Sequence, residues 1–200
     1  INVALAEENS GDIIMNSADG QAVRCANGSL RSIASRTAYG VKGMTLKDGD
    51  KIVSADVIHG EEVPYILTVT ENGFGKRTPC DDFPTKSRGT MGVIAIKTSD
   101  RNGQVIASLP VSDGDHVMIA TSDGQVIRMA VDDISVIGRN TQGVTLFKTD
   151  GAKVFSVARI PADSMLEDEL EADVVVDEDG NPIEATQPET AEVSESESVN

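Results

Sequence analysis

"VIGRNTQGV", at residues 136–144, carries the motif that decides how this chain is organised: an arginine, three variable residues, then Gly-Val. The same motif occurs in "SRTAYGV" at 35–41 and in "SRGTMGV" at 87–93. Its arginines are separated by 52 and then 51 residues, at Arg36, Arg88 and Arg139. A motif that returns at a nearly constant interval of this length indicates a repeated structural unit.

Further anchors keep the same register. "DGQAVR" at 19–24, "NGFGKR" at 72–77 and "DGQVIR" at 123–128 each place a Gly four residues before an Arg, and an apolar run precedes each one. Short apolar runs divided by Asp-Gly and Asn-Gly turns are typical of antiparallel hairpins. Four strands in about fifty residues match one blade of a propeller-like fold. We therefore predict an all-β chain of about three four-stranded antiparallel blades, plus a leftover strand in "INVALA" at 1–6.

Charge divides the chain into two regions. The net charge is −16, yet all 17 Lys and Arg lie within residues 1–160, beside 19 Asp and Glu. Residues 161–200 contain the other 14 acidic residues and no basic one. An acidic segment with few large apolar residues cannot offset its ordering entropy by burial. We predict blades over 1–161 and a disordered acidic tail over 162–200, which either solubilises the chain or competes with an anionic ligand.

Catalytic and metal-binding signals are weak. Cys25 and Cys80 are 55 residues apart without a nearby ligand, as expected of a reduced cytosolic protein. His59 and His116 have no obvious partner in the sequence. No apolar run is long enough to span a membrane, and because the sequence opens on Ile1 without a charged-then-apolar leader we expect no secretion signal. We expect a cytoplasmic fragment of a longer protein with no catalytic residue, no metal site and no membrane partner.

The repeated cations indicate a polyanionic ligand. Equivalent positions of successive blades lie along one rim, so the motif arginines predict a first row, extended by two loop lysines: Arg36, Arg88, Arg139, Lys42 and Lys86. A second row is predicted on the hairpin strands, from Arg24, Arg77, Arg128 and Lys76. Guanidinium groups bind phosphates through a planar fork of donors and position a duplex without reading its sequence. The alternative is that each arginine faces water or pairs with a neighbouring carboxylate.

These repeats resemble the C-terminal domain of the A subunit of DNA gyrase. "TENGFGKRTPCDDFPTKSRGTMGVIAIKTSDRNGQV" and "TSDGQVIRMAVDDIS" with "VIGRNTQGV" carry the similarity, which covers essentially all of residues 1–160. The family's heptapeptide, Gln-Arg-Arg-Gly-Gly-Lys-Gly, is absent, and "KSRGTMG" at 86–92 only echoes it. The resemblance implies a β-pinwheel that wraps double-stranded DNA in a type IIA topoisomerase, which supercoils DNA negatively using ATP.

The same resemblance implies where the other functions lie. ATP and Mg²⁺ would bind elsewhere in a holoenzyme that contains the B subunit together with the rest of the A subunit, and this fragment alone would lack activity. The family's catalytic tyrosine belongs to another part of the protein, so Tyr39 and Tyr65 are expected to be packing residues. Two alternatives remain open: the related domain of topoisomerase IV, and a propeller-like scaffold for protein partners, which would need apolar hot spots on its rim.

Overall fold

The computed structural model describes residues 3, 5–7, 10–30, 33–59 and 63–164. A compact unit comprises residues 1–162. The predicted acidic tail lies outside the described residues from position 165 onward.

Antiparallel strands dominate the compact unit and confirm the all-β prediction. In chain order they are β1 Asp12–Ser17, β2 Gln21–Ala26, β3 Ile52–Ile58, β4 Tyr65–Thr70, β5 Phe74–Pro79, β6 Val93–Ile94, β7 Val105–Val111, β8 His116–Thr121, β9 Val126–Ala130, β10 Val144–Thr145 and β11 Val154–Ile160. Each repeat also has a 3-10 turn directly after its second strand, at Asn27–Ser29, Cys80–Asp82 and Val131–Asp133. The strands form three sheets, in the orders β3-β1-β2-β6, β10-β5-β4-β7 and β11-β8-β9.

The blades differ from the prediction in one respect: a repeat does not supply all the strands of its own blade. β6 follows the Arg88 loop of the second repeat but pairs with β2 of the first, in the register Gln21↔Ile94 and Ala22↔Val93. β10 of the third repeat pairs in the same way with β5 of the second. Gly92 permits this crossing, because its φ is +77° and a Cβ atom there would lie 1.9 Å from the carbonyl oxygen of Ala22. Strand exchange therefore ties each blade to the next.

The two ends of the repeat array depart from the regular pattern. Residues 41–47, equivalent in the first repeat to the segment that contains β6, form no strand. Within the described residues, the third sheet has three strands and none beyond β9. Residues 3, 5 and 6 lie outside any strand, so the predicted leftover strand is not present at those positions.

Two hydrophobic clusters lie between blades. Ile14 and Ile58 of the first blade pack with Ile66 and Phe83 of the second. A second cluster joins strands β4 and β7 to the third blade through Leu67, Val69, Val111, Val117, Ile119, Val131, Ile134 and Val154. Because each sheet buries its face against its neighbour, the blade order fixes the positions of the loops between them.

Candidate nucleic-acid interface

The loops that carry the Arg-x-x-x-Gly-Val motif make the same contact from one repeat to the next. The Nη1 atom of Arg88 donates a hydrogen bond to the carbonyl oxygen of Lys42 at 3.4 Å. The Nη1 atom of Arg139 donates to the carbonyl oxygen of Ile94 at 2.8 Å. Lys42 and Ile94 each lie two residues after the motif glycine of the preceding repeat. Each of these two motif arginines therefore lies against the motif segment before it.

Backbone hydrogen bonds repeat with the same spacing. The amide of Thr45 donates to the carbonyl of Thr90, and the amide of Lys97 donates to the carbonyl of Thr141, both at 2.8 Å. These are equivalent pairs, since each donor lies five residues after a motif glycine and each acceptor two residues before one. The motif loops of successive repeats therefore adjoin.

The first-row side chains are accessible there. Arg36, Lys42, Lys86 and Arg88 are exposed, and Arg139 is half-buried with its guanidinium 6.0 Å from the centre of the Phe83 ring. Within the described part of the chain, none of these five cations forms an ion pair with a carboxylate. We call these five residues the motif cations.

The second row requires a correction, which is clearest at Arg77. Its side chain is only 8% exposed and lies 2.7 Å from Asp113 and 3.4 Å from Asp132. Its Nε atom donates to the carbonyl of Ile134 at 2.8 Å, and its guanidinium lies over the ring of Tyr65. These contacts hold Arg77 between the second and third blades, so a phosphate cannot reach it.

Arg24 has the equivalent role between the first and second blades. Its Nε atom lies 2.6 Å from Asp12, and its Nη1 atom donates to the carbonyls of Cys80 at 2.8 Å and Phe83 at 3.4 Å. Phe83 and Ile134, at equivalent positions, are both buried. Arg24 and Arg77 thus join the 3-10 turn of the following repeat to their own blade. Neither is a free DNA ligand.

Arg128 is the exposed member of the second row. Its Nε atom donates to Nδ1 of His116 at 3.0 Å. His116, like Asp12 and Tyr65, begins the first strand of its hairpin. Because it is exposed, Arg128 stays a predicted DNA ligand, unlike Arg24, Arg77 and Lys76.

Lys76 is fully buried, contrary to its prediction as a DNA ligand. Its Nζ atom donates to the carbonyls of Gly138 at 2.8 Å and Arg139 at 2.6 Å, and to Oγ1 of Thr141 at 3.1 Å. Burial lowers the pKa of Lys76 to about 8, the nearby charge of Arg139 acts in the same direction, and Asp82 acts in the opposite one. These hydrogen bonds hold the loop that carries Arg139 against strand β5.

A sequence signal for this role existed at the aligned positions. Val23 and Ile127 occupy the place of Lys76 in the other two repeats. A lysine at a strand position that is apolar in the other repeats is expected to be buried and to need hydrogen-bond acceptors, as Lys76 has.

The tyrosines also differ from each other. Tyr65 packs beneath Arg77, as expected of a packing residue. Tyr39, expected to pack, is instead fully exposed in the Arg36 loop. The periodic pattern does not reveal this, because the tip of a loop has no alternation from which to infer burial.

The cysteines are buried and free. Burial raises the pKa of the Cys80 thiol to about 11, although Arg24 opposes the shift. Among the described residues, no group of three or more His, Cys, Asp or Glu side chains is arranged to hold a metal ion.

Comparison with known proteins identifies the family. A family model described as "DNA gyrase C-terminal domain, beta-propeller" matches residues 11–59, 64–112 and 115–161, one match for each repeat. The chain belongs to the DNA gyrase C-terminal domain family. It is similar to the A subunit of DNA gyrase from Salmonella typhimurium, with 44% identity over 82% of this chain and 18% of that protein. It is also similar to the A subunit of DNA gyrase from Staphylococcus aureus, with 41% identity over 84% of this chain and 19% of that protein.

Two solved structures share the fold. A DNA gyrase A C-terminal domain superposes with a TM-score of 0.68 and 28% identity, over 76% of this chain and 51% of that chain. The C-terminal domain of DNA topoisomerase IV gives 0.73 and 25%, over 82% of this chain and 52% of that one. The chain thus spans about a fifth of the gyrase proteins and half of the solved domains that it matches. None of the described helical segments is both long and apolar enough to cross a bilayer.

Proposed function

We propose that this chain binds double-stranded DNA without sequence preference and wraps it along the edge that carries the motif cations. The observation that carries the proposal is the repeated docking of one motif loop on the next. That contact aligns Arg88 and Arg139 along one edge, and within the described residues neither has a carboxylate partner. A periodic line of guanidinium groups matches a periodic line of phosphates.

The proposal assigns the chain a mechanical role in a larger enzyme. Wrapping would present a neighbouring DNA segment for passage, as part of an ATP-dependent type IIA topoisomerase that supercoils DNA negatively. The B subunit, with the rest of the A subunit, would supply the cleavage tyrosine and the sites for ATP and Mg²⁺. The similarity to gyrase A proteins at 41–46% identity supports gyrase. The solved domains discriminate less, since the gyrase domain is 28% identical and the topoisomerase IV domain 25%.

The number of motif cations and the cost of bending DNA limit how tightly this edge alone can bind a duplex. With five exposed or half-buried cations, we predict a slope of about −4 to −5 when the logarithm of the binding constant is plotted against the logarithm of the salt concentration. Bending a duplex over 20–30 base pairs costs roughly 1–6 kcal/mol. We therefore expect weak binding at physiological salt that strengthens steeply as salt is lowered.

The test is duplex affinity measured against salt concentration, with two unrelated sequences of equal length. Wild-type protein should bind both equally and with the slope given above. The triple variant Arg36→Ala/Arg88→Ala/Arg139→Ala should bind more weakly, with a slope shallower by about 3. A flat salt response of the wild type, or a triple variant that binds as the wild type does, would refute the proposal and favour the scaffold for protein partners.

A further inference from the structure

The residue just before the motif glycine occupies the same place in all three loops. It is Tyr39 in the first repeat, Met91 in the second and Gln142 in the third. Tyr39 is fully exposed and Met91 is 44% exposed. Two of the three loops therefore present a large, largely apolar side chain to solvent beside their arginine.

Tyr39 lies between cations. Arg36 precedes it by three residues and Lys42 follows it by three, and both are exposed. The next residue, Gly40, has a φ of +77° and no atom within 4 Å of the place where a Cβ would be. The loop is thus open at Gly40, and the ring and the two neighbouring cations are each exposed to a ligand.

In the third loop, the residue at this position makes hydrogen bonds within the protein. The Oε1 atom of Gln142 accepts a hydrogen bond from Arg101 at 3.3 Å, and its Nε2 atom donates to Oγ of Ser99 at 3.3 Å. Gln142 is therefore directed back onto the turn of the second repeat. The side chains of Tyr39 and Met91 carry no amide group with which to make this pair of contacts.

We propose that Tyr39, with Met91 in a secondary role, enters the minor groove of the bound duplex as an apolar wedge and stabilises its bend. The inference rests on the proposed function, because the motif cations must first hold the duplex against the loops. Proteins that bend DNA combine arginines with apolar side chains inserted between base steps of the minor groove. The cost of partial unstacking is offset by the larger surface that a bent duplex brings into contact.

Because the chain has no tryptophan, insertion of the wedge can be followed with one fluorescent reporter. The chain contains no Trp and two Tyr, so Tyr39→Trp introduces a unique reporter. Its emission should be quenched at saturating duplex concentration. Phe155→Trp is the matched control, because Phe155 is an exposed aromatic residue, 63% accessible, on β11 and outside the motif loops. The control emission should not change when DNA is added.

Affinity provides the second measurement. Tyr39→Ala should weaken duplex binding about five- to thirtyfold while leaving the salt slope unchanged, since an apolar contact releases no counterions. Arg36→Ala should instead reduce the slope by about 1. Tyr39→Phe, which keeps the ring, should retain wild-type affinity and the DNA bend measured by energy transfer between the duplex ends.

Two failures can be distinguished. If wild-type protein binds no duplex, the proposed function fails and the wedge fails with it. If wild-type protein binds with the expected salt slope, but Tyr39→Ala binds within about twofold of it and the reporter at position 39 is not quenched, the wedge alone is overturned.

Discussion

The guanidinium of Arg139 donates to the carbonyl oxygen of Ile94 at 2.8 Å, so the motif loop of the third repeat is held by the strand that the second repeat inserts into the first blade. A guanidinium carries about five N–H donors, so this contact leaves most of its donors able to meet a ligand. The fold meanwhile fixes the position of the charged group. The packing of one blade on the next therefore sets the spacing of the motif arginines along the edge.

Arg77 should be a major contributor to stability. Arg77→Met removes donors to two carboxylates and to the carbonyls of Asp132 and Ile134 at the interface of the second and third blades. We expect the free energy of unfolding to fall by about 2–4 kcal/mol, measured by urea denaturation. Arg128→Met is the matched control at the equivalent, exposed position and should cost less than about 1 kcal/mol. Equal losses in the two variants would argue against the role assigned to Arg77.

Gly92 should be irreplaceable for the strand exchange. Gly92→Ala places a methyl group 1.9 Å from the carbonyl oxygen of Ala22 and forces a positive φ on alanine. We expect a loss of more than about 3 kcal/mol in the free energy of unfolding. Gly40→Ala has the same φ without a close neighbour, so it should cost only about 1 kcal/mol. Similar melting curves for both variants would contradict the exchanged-strand geometry.

Lys76 should make stability depend on pH in an unusual direction. Its folded pKa, about 8, lies below the ordinary value of 10.5 mainly because the ammonium is buried. Between these values the unfolded chain binds more protons than the folded one, so the free energy of unfolding rises with pH. Compared with Lys76→Met, the wild type should gain at most about 3 kcal/mol between roughly pH 7.5 and pH 10.5. Parallel pH profiles for the two proteins would show that Lys76 is not desolvated.

The acidic tail supplies a prediction from sequence alone. Residues 163–200 contain 14 carboxylates and no cation. If this polyanion competes for the motif cations, a chain ending at residue 162 should bind duplex more tightly, with the difference largest at low salt. That end point keeps the backbone amide of Ala162, which donates to Asp115. Unchanged affinity at every salt concentration would leave the tail as a solubilising segment.

Much of the architecture could be predicted from the repeats. The Asp-Gly and Asn-Gly pairs mark hairpins, and Gly20, Gly73 and Gly124 all have positive φ. The partner of β6 could not be predicted, because a two-residue strand such as Val93–Ile94 carries no periodicity that distinguishes its own blade from its neighbour.

The candidate site was predictable only in part. Arg77 and Arg88 recur with equal regularity in the sequence, but Arg77 is covered by Asp113 and Asp132 and Arg88 is not. Regular recurrence reports a shared position in the repeat. It does not show whether the side chain at that position is exposed, since this depends on side chains from the following blade.

The most direct test of the DNA-binding edge is residue-by-residue protection by duplex DNA. Arginines and lysines are modified chemically with and without DNA, and the modified positions are quantified by mass spectrometry. We predict protection of the five motif cations Arg36, Lys42, Lys86, Arg88 and Arg139. The exposed lysines Lys47, Lys51 and Lys148, which lie outside the motif loops, should remain reactive. Protection of these three lysines with unchanged reactivity of the motif cations would contradict the account.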